Sequence, residues 1–473
     1  MLVLVPLDDR PVTADLPAEL ARAAGARVRV PPRGLLGGRR RPADVRGVWT
    51  WLERWAAGAD AAVVSVEMLC CGGLVASRQT QSPWRDVEPW LARLADLAAR
   101  VPTYAFSVIP RSPAQPTEED AAYWTSGDAA SAHRHRQLFR TLHARLIEAA
   151  GRGVWRYLLV GQDDAAPGSP AAADRDALQA LADARAPSRA LVTTGADELA
   201  ARLVARWLVD LTRTPLAVKT LYTFPAHAGR IPRYEAAPLD RTVAEHVASV
   251  GGRRAKRDAD LLLWVHNFED RQREARDQGG DLPAESLERA LADVRDAVRR
   301  QQVVAVADVR FANGADRALV ARLLREPSLA GVAAYAGWNT CSNALGSALA
   351  QAVVVALARR GVLDDDEAAA RRLLAARLLD DWAYQADVRV RLAAALRRRG
   401  GDPGGLGSHR AWCEEQAHRM LSERADALAP VFPQARVVVR RVAFPWDRLF
   451  EVRIDVAVIP GEAAARRAGR RQA

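Results

Sequence analysis

The sequence predicts an α/β fold with mostly parallel strands: a (β/α)8-like barrel over residues 1–360 and a mainly helical region over 361–473. Short β-branched runs alternate with Ala/Leu/Arg-rich stretches of helical period, the pattern of parallel strands joined by crossover helices. Nearly every run is followed at once by polar residues, as expected where strand ends of one polarity gather on one face and build a site. The runs slightly outnumber the strands of an eight-stranded barrel, so two Rossmann-like lobes stand as the alternative fold.

In chain order the candidate strands are "LVLVP", "ARVRVP", "AAVVSV", "TYAFSVI", "RYLLVG", "ALVTTG", "LLLWVH", "VVAVADV" and "VAAYAG", with "VKTLY" (218–222) as a further candidate. Stretches such as "DVEPWLARLADLAAR" and "GADELAARLVARWLVDL" carry apolar residues at helical spacing between them. After Tyr335 the chain turns chiefly helical. The late runs "ARVVVRRVAF" and "LFEVRIDVAVI" read as a closing hairpin, "RRRGGDPGGLGS" (397–408) as a loop, and the last dozen residues as a disordered basic tail.

Composition narrows the function classes. The net charge is +11, but the excess is spread along helices, and Lys219 and Lys256 are the only lysines. The basic runs "GGRRRP" and "RRAGRRQA" lack the interleaved aromatics that stack bases, so no nucleic-acid partner is expected. No apolar run approaches the ~20 residues of a membrane span. The start "MLVLVPLDDRP" lacks the basic region of a secretory leader. Four cysteines give neither a disulfide framework nor a CxxC metal pattern, which suits a reduced, cytoplasmic protein.

Common motifs are absent: no GxGxxG follows a strand, and no GxxxxGK, GxSxG or HExxH occurs. His133, His135 and His143 fall in one amphipathic helix, where positions two apart do not share a face. Cys70 and Cys71 read as loop residues without a histidine partner.

Adjacent acids carry more information. Those in "VLDDDEAA" complement a helix N-terminus. Asp380 and Asp381 in "LLDDWAYQ" fall late in a helix, where one of the two must face away from the core. Asp8 and Asp9 in "PLDDRP", and Asp163 and Asp164 in "GQDDAA", stand instead at strand ends. Neighbours on a strand point to opposite faces, so such acids converge only where the strand breaks into a loop. Pro11 favours that break by holding Arg10 extended.

Two close carboxyls on a partly desolvated face cannot both ionise easily, so one becomes a proton donor while the other stays an anion. That suits general acid–base catalysis. The other uses are Mg²⁺ ligation, for which Asp8, Asp9 and Asp308 are candidates, or a capped turn salt-bridged to arginines. Further polar residues at strand ends are Arg10, Glu67, Arg111, Gln162, His266, Asp308 and the run Trp338–Asn339–Thr340, while Asp197 reads as a helix cap.

The strings "PLDDRPV", "SVEMLCCGGLVASR", "GQDDA", "GADE", "NGAD", "AYAGWNTCSNALG", "DDWAYQ" and "FPWDRLFEV" together resemble the bacterial family known as domain of unknown function 4127, over residues 3 to about 456. That resemblance brings no activity. A narrower one does: "YLLVGQDD" followed later by "AYAGWNTCSN" looks like retaining N-acetylglucosaminidases of the O-GlcNAc-hydrolase type. Those are barrels with an Asp-Asp pair at a strand end. In them the 2-acetamido group of the substrate is the nucleophile, an exception to the usual two-carboxylate scheme.

The resemblance implies a glycoside hydrolase without a cofactor, acting on a small-molecule or oligosaccharide substrate. Asp163 would hold the acetamido nitrogen and Asp164 would protonate the leaving oxygen. Asn339 and Asn343 would bind sugar hydroxyls and Trp338 would wall the pocket. Beside them, Asp8, Asp9, Glu67, Gln162 and His266 are candidate substrate contacts, and Arg10, Arg78 and Arg111 would meet acidic groups of the substrate or keep the acids ionised. The competing expectations are a Mg²⁺-dependent carboxylate-cluster hydrolase and a non-catalytic sugar- or metabolite-binding protein.

Overall fold

The computed structural model describes every residue except 81, 113–128, 280–283, 327–329, 365 and 462–473. The expected basic tail lies outside the described residues. The chain divides into two compact units, one of Met1–Leu211 with Tyr234–Gly251 and one of Thr212–Arg233 with Gly252–Ala473. Residue 360 therefore lies inside the second unit.

Unit 1 is a six-stranded, wholly parallel sheet of β1 (Leu2–Val5), β2 (Val28–Arg29), β3 (Ala61–Ser65), β4 (Thr103–Ile109), β5 (Tyr157–Gln162) and β6 (Ala190–Thr194), in the order β2-β1-β3-β4-β5-β6. The interior strands read as near-continuous apolar runs because helices cover both faces. The chain steps from β1 to one side and returns to the other, so the reversal point falls between β1 and β3. Open α/β sheets take their ligands in the crevice outside the carboxyl ends at such a point.

Unit 2 repeats this plan with β7 (Ala217–Tyr222), β8 (Arg253–Arg254), β9 (Leu261–His266), β11 (Val303–Asp308) and β13 (Ala334–Ala336), all parallel, in the order β13-β11-β9-β7-β8. A two-stranded parallel ribbon of β10 (Arg273–Glu274) and β12 (Phe311–Ala312) lies in the same unit. So does the antiparallel hairpin of β14 (Ala435–Ala443) and β15 (Arg453–Pro460), as the late apolar runs suggest.

The α/β class with parallel strands stands, but no closed barrel is found among the described residues: the strands form two open sheets. The physical reason is visible at the edges. β2 and β8 are two-residue edge strands, too short to continue pairing, so neither sheet closes on itself.

Three local expectations also change. Cys70 and Cys71 lie in the helix Val66–Cys71, not in a loop. The apolar helix Cys341–Arg359 is long enough to cross a membrane, which the run-length reading missed, yet it is packed inside unit 2 as a core helix. Asp380 and Asp381 are both buried, because residues Leu378–Val388 form a π-helix in place of a regular α-helix. Its wider turn brings residues five apart together, and Gln385 Nε2 donates to Asp380 Oδ1 over 3.1 Å.

Candidate functional site

In unit 1 the sequence after each strand builds one hydrogen-bonded carboxyl edge. Gly161 is required just before it, since a Cβ there would lie 2.2 Å from the carbonyl oxygen of Gly195. That close approach of the turn after β6 fixes the end of β5. Asp163 N then donates to Ile109 O, and Ser112 N donates to Asp164 O over 2.8 Å, so the loops after β4 and β5 are knitted together.

The adjacent acids are held by different cations. Arg78 donates to Asp163 Oδ2 at 2.5 Å, and Arg111 donates to Asp164 Oδ2. Asp163 Oδ1 also accepts the backbone N–H of Asp164 at 2.9 Å. Burial pushes the Asp163 carboxyl up, but Arg78 and Arg111 outweigh it and hold Asp163 below the usual carboxylate range. Asp164 goes the other way. Burial pushes it up to about 7, with Arg111 opposing and the Asp163 anion adding to the rise. Its side chain is 20% exposed, so the proton-carrying member of the pair is the one that solvent reaches.

The "PLDDRP" acids form a second, linked cluster. Arg10 is extended, with φ −68° and ψ 151°, and enters the π-helical turn Pro11–Asp15. Its guanidinium grips Asp8 through Nε at 3.0 Å and an amino group at 2.7 Å, and grips Asp197 at 2.6 and 3.1 Å. Thr13 Oγ1 donates to Asp8 Oδ1. Asp197, expected as a helix cap, is the far anchor of Arg10. Its carboxyl is raised by burial, with Arg10 opposing and Asp8 and Asp163 adding. Asp9 stands half-buried beside this cluster, and its carbonyl accepts from Arg33 at 2.9 Å.

Two further candidates sit beneath the edge. Glu67 is fully buried and accepts from Ser107 Oγ at 2.6 Å and Val108 N at 2.7 Å, with burial raising its carboxyl. Ser107 Oγ also meets His143 Nε2 at 3.0 Å, and burial pushes that histidine down to about 3, so it is neutral. Gln162 is 3% exposed, and neither its Oε1 nor its Nε2 has a hydrogen-bond partner among the described residues. A buried amide with both ends unmet is costly, and its natural complement is a group offering one donor and one acceptor.

His266, Asp308, Trp338, Asn339 and Asn343 belong to unit 2. At that sheet's carboxyl ends His266 Nδ1 meets Thr223 Oγ1 at 2.9 Å and its Nε2 meets Asp316 Oδ2 at 3.2 Å. Asp308 Oδ2 accepts from Tyr335 OH and Asp316 N. Burial pushes Asp308 up to about 6, and Asp381, which accepts from Gly337 N at 2.8 Å, up to about 7. Thr340 caps the helix Cys341–Arg359, and Asn343, in its first turn, donates to Thr340 Oγ1 at 3.2 Å. Trp338 is buried with its ring 5.9 Å from Phe450, and Asn339 takes φ +60° while its carbonyl accepts from Asn313.

Asp8 fits Mg²⁺ poorly, because both of its oxygens already face the Arg10 guanidinium. Asp197, Thr223, Asp316, Tyr335 and Asp381 escaped the sequence reading of the site. Asp197, Asp316, Tyr335 and Asp381 lie within the strings "GADE", "NGAD", "AYAGWNTCSNALG" and "DDWAYQ", the signals that pointed at them, while Thr223 lies in none of the quoted strings.

A family model described as "Protein of unknown function (DUF4127)" matches residues 2–131 and 132–455. No curated protein matches the chain.

Proposed function

The chain belongs to the DUF4127 family of proteins of unknown function, and from that premise we propose that it is a hydrolase of 2-acetamido glycosides whose acid–base pair is Asp163 and Asp164. The observation that carries the reading is the split between two adjacent carboxyls: one is kept anionic by Arg78 and Arg111, while burial raises the other to about 7 and leaves it 20% exposed. Environments that drive a carboxyl pair apart in this way assign the acid and the anion.

In this reading Asp164 gives its proton to the leaving glycosidic oxygen as the C–O bond breaks. The acetamido oxygen of the substrate forms the new bond to the anomeric carbon, and Asp163 takes the hydrogen bond of the acetamido N–H. In the second step water forms a bond to the anomeric carbon as the bond to the acetamido oxygen breaks and the acetamide is regenerated, and the Asp164 anion takes the proton of that water, which restores the acid. The unmet amide of Gln162 supports a substrate with an amide group. The reading rests on the carboxyl pair and not on the fold, since the O-GlcNAc hydrolases are barrels and this chain forms two open sheets.

The test is hydrolysis of aryl 2-acetamido-2-deoxyglycosides beside the matching 2-hydroxy glycosides, with and without EDTA. Turnover confined to the acetamido series and indifferent to EDTA is expected. Turnover of both series alike, or loss with EDTA, overturns the mechanism. Binding of the acetamido sugars without turnover would instead make the protein a sugar receptor.

A further inference from the structure

Unit 1 holds a cavity of ≈ 220 Å³ that the acid pair does not use. It lies between the carboxyl end of β4 and the helices Ala129–Gly151 and Pro170–Arg185. Its floor is apolar, made by Ile109, Phe139, Ala171 and Leu178. An apolar void of about 150 Å³ is already enough for benzene, so this one has room for a single ring or a branched chain plus a small head group.

The rim carries the opposite chemistry. Among the described lining residues three guanidiniums, Arg111, Arg136 and Arg140, stand against one carboxylate, Asp174. Arg136 takes both oxygens of Asp174, at 2.5 and 2.9 Å, and also meets Pro170 O. Arg140 reaches Asp174 only at 3.4 Å and its side chain is 58% exposed. Arg111 is committed to Asp164. Of the lining histidines, His135 Nε2 meets Ser77 O and His143 is neutral, so His143 adds no charge to this balance. Arg140 is thus a cation at the mouth of an apolar hole whose nearest anion is already taken by a better-placed neighbour.

We infer that this cavity binds a small organic monoanion, with a ring-sized apolar body on the Ile109–Phe139–Leu178 floor and its anionic head on Arg140. A planar guanidinium suits such a head because it can offer two parallel N–H donors. The inference stands apart from the glycosidase reading. The two meet through the Arg111 side chain, which lines the cavity and pairs with Asp164, and through the backbone of Ile109 and Ser112, which line it and bond to Asp163 and Asp164.

The test is calorimetric titration of the full-length protein with phenylacetate, beside benzyl alcohol and acetate as single-feature controls. Phenylacetate is expected to bind more tightly than either control. Arg140→Gln, a change at an exposed side chain, is expected to weaken it by about tenfold. Ala171→Leu, which fills the floor, is expected to abolish it. Asp164→Asn is expected to retain it, so failure of the glycosidase reading leaves this result intact. No heat with phenylacetate at millimolar concentration, equal binding of acetate, or an affinity unchanged by Arg140→Gln overturns the proposal.

Discussion

Asp164 and Asp163 are neighbours in sequence with opposite proton affinities: Arg78 and Arg111 act on both, but Asp163 also accepts from Arg78 and from the Asp164 N–H, while burial and the Asp163 anion raise Asp164. The account requires Asp164 to be protonated for the first step, so activity should fall as pH rises through about 7. Arg111 lowers that affinity for protons from its place beside Asp164. Arg111→Gln should therefore move the alkaline limb of the kcat/KM profile to higher pH, and an unmoved limb would contradict the assignment. Residues of this kind were legible in the sequence because two acids at the end of an apolar strand need a reason. Their partners were not: Arg10 and Asp197 are 187 positions apart, and nothing local links them.

Among the elements, the π-helix Leu378–Val388 was the least legible, because a helical period of 3.6 places Asp380 and Asp381 on diverging faces while the wider turn buries both. Asp381 is consequently a stability element with a pH signature. Its folded carboxyl is raised from 3.8 to about 7, so its contribution to stability is fully present below about pH 4 and is lost as pH rises to about 7. Asp381→Asn should flatten the decline of unfolding free energy across that window, as read by urea denaturation at several pH values. Asp308 and Asp164, raised in the same sense, should leave a residual slope. The helix Leu199–Thr212 offers a second test. Arg202 and Glu198 are both fully buried and 3.1 Å apart, with His246 at 3.4 Å from the same Glu198 oxygen. Glu198→Gln leaves the buried Arg202 charge without its hydrogen-bonded anion and should cost about 3–5 kcal/mol in the same assay.

For the whole molecule, the strands and the polar carboxyl edges were legible because β-branched runs and the residues after them are local signals. Closure was not. A barrel and a pair of open sheets share those signals and differ only in which edges pair, and the two-residue strands β2 and β8 are too short to stand out in a sequence. Nor does chain order show that Tyr234–Gly251 returns to unit 1. There Glu245 meets the buried Arg175 at 2.7 Å, so Glu245→Ala should loosen the core of unit 1, read as faster amide exchange in β5 and β6. The central claim is that the carboxyl pair at the end of β5 performs acid–base hydrolysis, and the most direct measurement compares wild type and Asp164→Asn on an aryl 2-acetamido glycoside. The wild type should turn the glycoside over measurably, and the rate should drop about 10²–10⁴-fold in the variant while its thermal unfolding stays near that of wild type. Equal turnover by both proteins, or none by the wild type, would contradict it.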